Sequence, residues 1–117
     1  LLCGPNEKEI ADKILNEIGN ECCSSLDNKN ISEIIPLISM SHMYIGNDSF
    51  GHHVASQSLV PSFIIILDTP KAYTDYSKNQ FRILPDDIDE NYVSHDSNIS
   101  PNKVTIDMVF NKIKKFI

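Results

Sequence analysis

The side chains best suited to chemistry lie within one short stretch, residues 47–53. It supplies an amide, a carboxylate, a hydroxyl and two adjacent imidazoles, from Asn47, Asp48, Ser49, His52 and His53. The first turn of a helix has free backbone N–H groups, and a serine hydroxyl beside it adds another donor. Ser49 and the N–H groups of residues 50–52 are therefore predicted to bind a phosphate. A bare carboxylate would be repelled by a phosphate, so we expect Asp48 to meet hydroxyl groups of a ligand or a cation. His52 is expected to face the cleft, where its protonated form would suit a phosphate.

Each of these side chains also has a structural interpretation. Asp48 could cap the helix that follows, a role that is compatible with ligand binding. His53 could equally be a buried, hydrogen-bonded histidine of a helix that packs on a sheet. Asp48 with both histidines has the composition of a metal site, but adjacent side chains on a helix point about 100° apart. We therefore expect no metal here, and no cofactor.

The elements predicted around this stretch form a strand, a turn and a helix. Residues 42–45 include an aromatic and a β-branched side chain, which predicts a buried strand. Residues 46–49 have turn chemistry, and a short helix is predicted over residues 51–57. Residues 62–67 are apolar throughout, as in a strand covered on both faces, and Asp68-Thr69-Pro70 ends it. Both breaks follow the carboxyl end of a strand, where ligands of open α/β sheets bind.

Two helices are predicted before this region from capping residues and apolar spacing. Asn6 with Glu9 makes a capping box ahead of residues 10–18, and Gly19 ends that helix. Asn30 with Glu33 repeats the box ahead of a second helix, which contains a proline that would bend its first turn.

Strands and helices alternate over the rest of the chain. Weaker strands are predicted at residues 1–3, 22–26 and 81–84, with a turn at Gly4-Pro5 after the first. Residues 71–80 and 86–102 are predicted to be loops; Tyr73 and Tyr76 in the former could contact a nucleoside, but packing within the loop is favoured. Thr105 caps a last helix with the apolar stripe Ile106, Val109, Phe110, Ile113 and Ile117. This alternation favours an α/β fold with a parallel sheet and right-handed crossovers.

Composition limits the class of protein. The 117 residues include 16 acidic and 10 basic side chains, and the net charge of −6 argues against a nucleic-acid or anionic-membrane surface. The longest apolar run, residues 63–67, is too short to span a membrane. Cys3, Cys22 and Cys23 are interpreted as small buried side chains of a cytoplasmic protein, in preference to metal or disulfide roles. The chain opens without an initiator Met, on what resembles the tail of a strand, and we interpret it as a fragment of a longer protein.

The central block resembles a known family. Residues 46–49 read Gly-Asn-Asp-Ser and are followed by His53 and Ala55, which is similar to the central motif of glycosyltransferase family 9, the ADP-heptose:lipopolysaccharide heptosyltransferases. Weaker similarities cover nearly the whole chain. They lie at residues 2–5 with Glu7, at the helix start over residues 31–34, at residues 61–70 with Thr69 in the place of the family's threonine, and at the closing helix over residues 106–117.

The resemblance implies the C-terminal half of a two-domain B-type glycosyltransferase, a single Rossmann-like domain over residues 1–117 with helices on both faces of its sheet. That half would bind a nucleotide-diphosphate sugar for lipopolysaccharide or other cell-surface glycan synthesis. The implied donor-binding residues are Asn47, Asp48, Ser49, Phe50, Gly51, His52, His53 and Thr69. The acceptor site and the catalytic base would belong to a missing N-terminal domain, so this chain has no assigned catalytic residue and is expected to be inactive alone. No nucleic-acid partner is implied, and peripheral membrane association would concern the full-length protein only.

Departures from the family pattern leave other functions open. Phe50 replaces the family's glycine, Gly51 follows one place later, and His52 stands where a hydrophobic residue is usual. Asp68 replaces a common glycine and adds negative charge near the expected phosphate. One alternative is therefore a non-catalytic nucleotide- or sugar-binding module on the same fold. Another is one half of a nucleotide-sugar hydrolase or epimerase, because fold does not fix function.

Overall fold

The computed structural model describes residues 1–4, 6–19 and 21–117. Its helices are α1 (Lys8–Ile18), α2 (Ile31–Ser39), α3 (Phe50–Gln57), α4 (Lys71–Thr74) and α5 (Ile106–Ile113). Its strands are β1 (Tyr44–Asn47), β2 (Ser62–Ile65) and β3 (Gln80–Ile83), and short 3-10 helices lie at Glu90–Tyr92 and Pro101–Lys103. The chain divides into two compact units, Leu1–Leu37 and Ile38–Ile117.

The second unit contains a three-stranded parallel sheet in the order β1-β2-β3. Its register aligns Ile45 with Phe63 and Phe63 with Phe81. The helix α3 connects β1 to β2 and contacts both, while α5 contacts β3. The predicted α/β class with a parallel sheet is therefore confirmed, and the three strands lie within two residues of their predicted positions.

Alternation along the strands divides the sheet into two covered faces. Ser62 and Gln80 are aligned neighbours whose side chains contact His52 of α3 on one face. The next residues along each strand, Phe63 and Phe81, point to the other face because successive side chains alternate. There their rings stack on each other at 4.9 Å between centroids, and each meets the ring of Phe116 at 5.1 Å. The segment after α5 thus covers the face opposite α3.

The long loop after β3 contributes to the core of the second unit. Val93 is buried and clusters with Ile64 and Ile66, and partly buried side chains pack against them: Leu84, Ile88 and Ile99. The prediction of a surface loop at residues 86–102 is therefore incomplete, because Val93 within it packs against the carboxyl-terminal part of β2 and the residue that follows it.

The two strands predicted in the first unit are wrong. Residues 1–3 and 22–26 are all described, and they are irregular. They do run beside each other, since the Leu1 ammonium donates to the Ser24 carbonyl at 2.6 Å and the Leu26 N–H donates to the Leu1 carbonyl at 2.9 Å. Two hydrogen bonds do not make a ladder, and the segments are too short to extend it. The predicted turn at Gly4-Pro5 involves Pro5, which lies outside the described residues.

Helix capping in the first unit follows the sequence in one helix and departs from it in the other. The box ahead of α2 is confirmed: the Glu33 carboxylate accepts from the Asn30 N–H at 3.1 Å, and the Asn30 amide oxygen accepts from the Glu33 N–H at 3.2 Å. The box at Asn6 is wrong, because α1 is capped at Glu7, whose carboxylate turns back to accept from the Gly4 N–H at 2.5 Å. Gly19 ends α1 as predicted, with a φ of 91° that favours glycine.

Three smaller predictions are corrected. Residues 71–80 are not simply a loop, because α4 forms one helical turn at their start. The Thr105 cap of α5 is confirmed, since its hydroxyl accepts from the Met108 N–H at 3.3 Å, but the predicted stripe is not buried: Ile106, Phe110 and Ile117 are exposed. The cysteines are not buried either, because Cys22 is exposed and the other two are half-buried. Among the described residues, no helix is long and apolar enough to cross a membrane.

Candidate functional site

The strand β1 carries the first residues of the candidate site. It runs through Gly46 and Asn47, so the predicted turn at residues 46–49 is wrong for its first half and only Asp48 and Ser49 bend the chain. A Cβ at Gly46 would lie 2.7 Å from the hydroxyl of Tyr44, so glycine leaves room for the Tyr44 side chain in this position. The Tyr44 side chain lies along the strand and its hydroxyl reaches the Asn47 carbonyl at 3.2 Å and the Ser49 Oγ at 3.1 Å. These bonds brace the turn into α3.

The start of α3 has backbone N–H groups that no side chain caps. Ser49 occupies the N-cap position, but its side chain makes no capping hydrogen bond, since it pairs with Tyr44. Asp48 precedes the cap, so the interpretation of Asp48 as the capping residue is wrong. The N–H groups of Phe50 and Gly51, in the first turn, have no partner within the helix. Phe50 places an exposed ring beside them, 42% accessible, while Gly51 is buried.

His52 is fully buried against the sheet, so the prediction that it faces the cleft is wrong. Its Nδ1 lies 3.3 Å from the hydroxyl oxygens of both Ser56 and Ser62. Its Nε2 lies 3.3 Å from the Tyr73 carbonyl oxygen and 3.4 Å from the side-chain nitrogen of Gln80. Each ring nitrogen therefore has partners in either neutral tautomer. Helical spacing places Ala55 and Ser56 on the same buried face of α3 as His52. Both side chains are small and leave room for the imidazole.

The His53 side chain is 46% exposed, although its ring centroid lies only 4.4 Å from that of the buried His52. The interpretation of His53 as a buried structural histidine is therefore also wrong, and the two histidines exchange their expected places. Its Nδ1 lies 2.8 Å from the hydroxyl oxygen of Tyr76, and the two rings are nearly parallel with centroids 6.0 Å apart. Tyr76 thus packs against α3 and orients the His53 ring.

Asp48 lies between the two imidazoles. Its Oδ1 is 3.5 Å from the Nε2 of His52 and 3.5 Å from the Nε2 of His53. Each of the three residues offers a possible ligand atom within 4.8 Å of the other two. The expectation that adjacent histidines diverge is wrong, because side chains on a helix lean toward its N-terminus, where Asp48 folds back over the first turn. Asp48 Oδ1 is buried, and no described residue hydrogen-bonds to it.

The charge state of His52 is set mainly by burial. Burial lowers the pKa of His52 below its ordinary value, and the neighbouring His53 acts in the same direction. The Tyr73 carbonyl and the Asp48 carboxylate oppose that shift without overcoming it. His52 is therefore neutral at pH 7 and does not supply the cation that the sequence suggested for a diphosphate.

The remaining predicted site residue follows the neighbouring strand. Thr69 is buried beyond the carboxyl end of β2, and its carbonyl accepts from the guanidinium of Arg82 at 3.5 Å. Asp68, next to it, is exposed. Because β1 and β2 are parallel, Thr69 and the turn at Asp48 lie at the same edge of the sheet.

A cavity of about 450 Å³ lies at the carboxyl end of β3. Its walls include Arg82, Glu90, Met108 and Lys112. The Arg82 side chain is only 5% exposed and donates to Glu90 Oε2 at 2.9 Å, while its Nε is buried with no hydrogen-bond partner in the described part of the chain. Sequence reasoning did not find this cavity, because its walls come from a strand, a loop and a helix that are far apart in the chain.

Sequence reasoning also missed the polar shell of His52. Ser56, Ser62 and Gln80 supply three of its four partners, and Gln80 is itself fixed because its oxygen accepts from the N–H groups of Tyr76 and Ser77 at 2.8 Å each. The one available signal was Ser62, a polar residue at the start of an otherwise apolar strand.

Comparison of the chain with family models, curated proteins and solved structures finds no match.

Proposed function

We propose that this chain is the donor-binding half of a glycosyltransferase and that its central turn binds the diphosphate of a nucleotide-diphosphate sugar. The observation that carries the proposal is the position of Asn47, Asp48 and Ser49. They leave the carboxyl end of a parallel strand and lead directly into the uncapped N-terminus of α3. A helix N-terminus at a strand end favours a phosphate through its free N–H groups and its dipole.

Each residue of the turn has a role in this proposal. The N–H groups of Phe50 and Gly51 and the hydroxyl of Ser49 donate to the diphosphate, and the same donors stabilise the charge that develops on it when the sugar is transferred. The Asp48 carboxylate lies 3.5 Å from an imidazole nitrogen of each histidine and is not one of these donors. The cavity at the end of β3 lies at the same edge of the sheet and falls within the size range of small-molecule sites.

The finer identity rests on the resemblance of residues 46–49, His53 and Ala55 to the heptosyltransferases of glycosyltransferase family 9. On that basis the fold is the Rossmann-like C-terminal half of a B-type enzyme, acting in lipopolysaccharide or other cell-surface glycan synthesis in the cytoplasm. Transfer would require an N-terminal half that supplies the acceptor site and the catalytic base. The chain alone would bind the donor without turning it over.

A second candidate is a nucleotide- or sugar-binding module without transfer activity. It is favoured by Phe50, whose exposed ring stands where the family has a glycine beside the diphosphate, and by the exposed charge of Asp68. The two candidates differ in whether an acceptor substrate is ever glycosylated, and they share the binding step.

The binding step is tested by amide NMR titration of the chain with nucleoside diphosphates and nucleotide sugars, in buffer that contains a chelator. We expect one of these ligands to shift the amides of residues 49–53. Ser49→Ala should weaken its binding at least about tenfold, the loss of one hydrogen bond to a charged group. Ser100→Ala is the matched control, since Ser100 is exposed and its side chain caps nothing. If no ligand in the panel moves these amides, the proposal is wrong.

A further inference from the structure

We propose that Asp48, His52 and His53 form a binding site for one divalent transition-metal ion of the zinc type. Each residue offers one ligand atom, and these atoms lie within 4.8 Å of one another. Asp48 Oδ1 lies 3.5 Å from the Nε2 of each histidine. The proposal concerns the side chains of this chain alone and is independent of any nucleotide.

The two distances from Asp48 match the ligand spacing of a tetrahedral metal. Zinc binds histidine nitrogen and carboxylate oxygen at about 2.1 Å, which places two such ligands about 3.4 Å apart at the tetrahedral angle. Asp48 Oδ1 lies 3.5 Å from each Nε2. Metal binding would bring the two imidazoles together around the ion, and the partly exposed His53 is the side chain that is able to move.

The state of Asp48 is an independent observation that points to a ligand. Its Oδ1 is buried, yet no described residue hydrogen-bonds to it. A buried carboxylate oxygen without a partner is costly, and most buried polar atoms in folded proteins are satisfied. Its nearest polar neighbours are two nitrogens at 3.5 Å, too far for good hydrogen bonds and well placed for a shared ion.

The outer partners of the histidines suit ligation through Nε2. Metal-bound histidines use their second nitrogen in a hydrogen bond that fixes the ring. His52 Nδ1 lies 3.3 Å from the hydroxyls of Ser56 and Ser62, and His53 Nδ1 lies 2.8 Å from the hydroxyl of Tyr76. A hydroxyl oxygen can accept from Nδ1–H, which leaves the lone pair on Nε2 for a metal.

Two further groups reach the Nε2 of His52. The Tyr73 carbonyl, at 3.3 Å, accepts from the protonated form of that nitrogen, and a metal ion would replace that proton. The Gln80 amide nitrogen, at 3.4 Å, donates to the lone pair of the unprotonated form, and a metal ion would have to displace this long contact. The Gln80 oxygen would keep its two backbone N–H donors when that contact is lost.

The ligand set selects the class of metal. Two imidazoles and one carboxylate suit zinc, iron, cobalt or nickel, whereas magnesium and calcium take mostly oxygen ligands. Three protein ligands leave a fourth position for water or a substrate atom. The half-exposed ring of His53 places that position toward solvent.

The test is a titration of the 117-residue chain with Co²⁺ by absorption and with Zn²⁺ by calorimetry, without nucleotide. Cys3, Cys22 and Cys23 are replaced by serine in all samples, because exposed thiols bind both metals. We expect one ion per chain and a tetrahedral cobalt spectrum. His53→Gln and Asp48→Asn should each weaken binding at least tenfold, while His95→Gln, an exposed histidine outside the cluster, should leave it unchanged.

A second measurement separates lost ligation from lost folding. His53→Gln alters a half-exposed side chain, and its melting temperature in chelator should stay close to that of the parent chain. Asp48→Asn removes the charge of a carboxylate whose buried Oδ1 has no hydrogen-bond partner among the described residues, so its melting temperature in chelator should be equal or higher. Zn²⁺ should raise the melting temperature of the parent and the His95 variant only. Absence of a bound ion in the serine background, or equal affinity of the parent and His53→Gln, would overturn the proposal.

Discussion

Glu90, in the wall of the cavity beyond β3, forms ion pairs with two basic side chains. Its Oε1 lies 2.7 Å from the Lys71 Nζ, and its Oε2 lies 2.9 Å from the Nη1 of the buried Arg82. The hydrogen bond from Lys71, followed by the charges of Lys71 and Arg82, lowers the pKa of Glu90 below its ordinary value. The two cations rank differently in their effect on folding stability. Lys71 is partly exposed, so solvent weakens its ion pair with Glu90, whereas Arg82 is only 5% exposed. The bond from Arg82 to Glu90 is therefore expected to contribute more to stability.

Glu90→Gln should lower the free energy of unfolding by about 1–2 kcal/mol at pH 7, because a buried guanidinium loses its charged acceptor. The folded-state pKa of Glu90 is lowered, so its contribution is full above the unfolded pKa and is lost as pH falls through the folded value. Urea unfolding at pH 7 and at about pH 3 measures this, and the gap between parent and variant should close in acid. Glu21→Gln, at an exposed position, is the control; a gap that persists in acid would contradict the assignment.

At the candidate site, the sequence predicted where the residues lie along the chain and misplaced their side chains. Residue types and the turn located Asp48, Ser49 and both histidines correctly at a strand end. Which histidine faces the sheet depends on the rotation of α3, and a boundary uncertain by one residue does not fix it. The convergence on Asp48 depends on the lean of helical side chains, which residue spacing alone does not include.

At the scale of elements, one sequence pattern had two outcomes. Asn30 with Glu33 forms the reciprocal box that starts α2, whereas Asn6 with Glu9 does not start α1. The difference lies in the preceding residues, since the Glu7 carboxylate binds the Gly4 N–H and moves the helix start to Lys8. A capping motif competes with every other polar side chain near the helix end, so the pattern alone does not decide.

The pair Asn30→Ala and Asn6→Ala tests this difference directly. Asn30→Ala removes the acceptor of the Glu33 N–H and should destabilise α2 by about 1 kcal/mol. Asn6→Ala should change stability by less than about 0.5 kcal/mol, because an exposed residue outside the cap is replaced. Native-state hydrogen exchange of the amides in α1 and α2 measures both. Equal loss of protection in the two variants would contradict the capping assignment.

At the scale of the whole molecule, the sequence predicted the alternating order better than the number of strands. Apolar runs with β-branched residues formed all three strands of the second unit. The strands predicted at residues 1–3 and 22–26 do not form. A strand needs a partner of sufficient length, and a local sequence pattern contains no information about that partner. The sequence also assigned the end of the chain to an apolar stripe that includes Ile117, whereas Phe116 makes the contact with the sheet.

Phe116 connects the end of the chain to the middle of the sheet. Its ring meets Phe63 and Phe81 edge-on at 5.1 Å, and its carbonyl oxygen lies 2.6 Å from the Nε2 of His42. Aromatic pairs of this geometry contribute about 0.5–1.5 kcal/mol each beyond the area that they bury. These contacts join segments that are distant in sequence, so they form only when the second unit folds as a whole.

Phe116→Ala should therefore lower the free energy of unfolding by about 2–3 kcal/mol, somewhat less than a fully buried phenylalanine, because the ring is half-buried. Phe110→Ala is the matched control in the same C-terminal region, and it should cost less than about 1 kcal/mol since that ring is 54% exposed. Urea unfolding followed by circular dichroism compares the two. Equal costs would mean that the end of the chain is not part of the core, and the face of the sheet opposite α3 would then need another covering element.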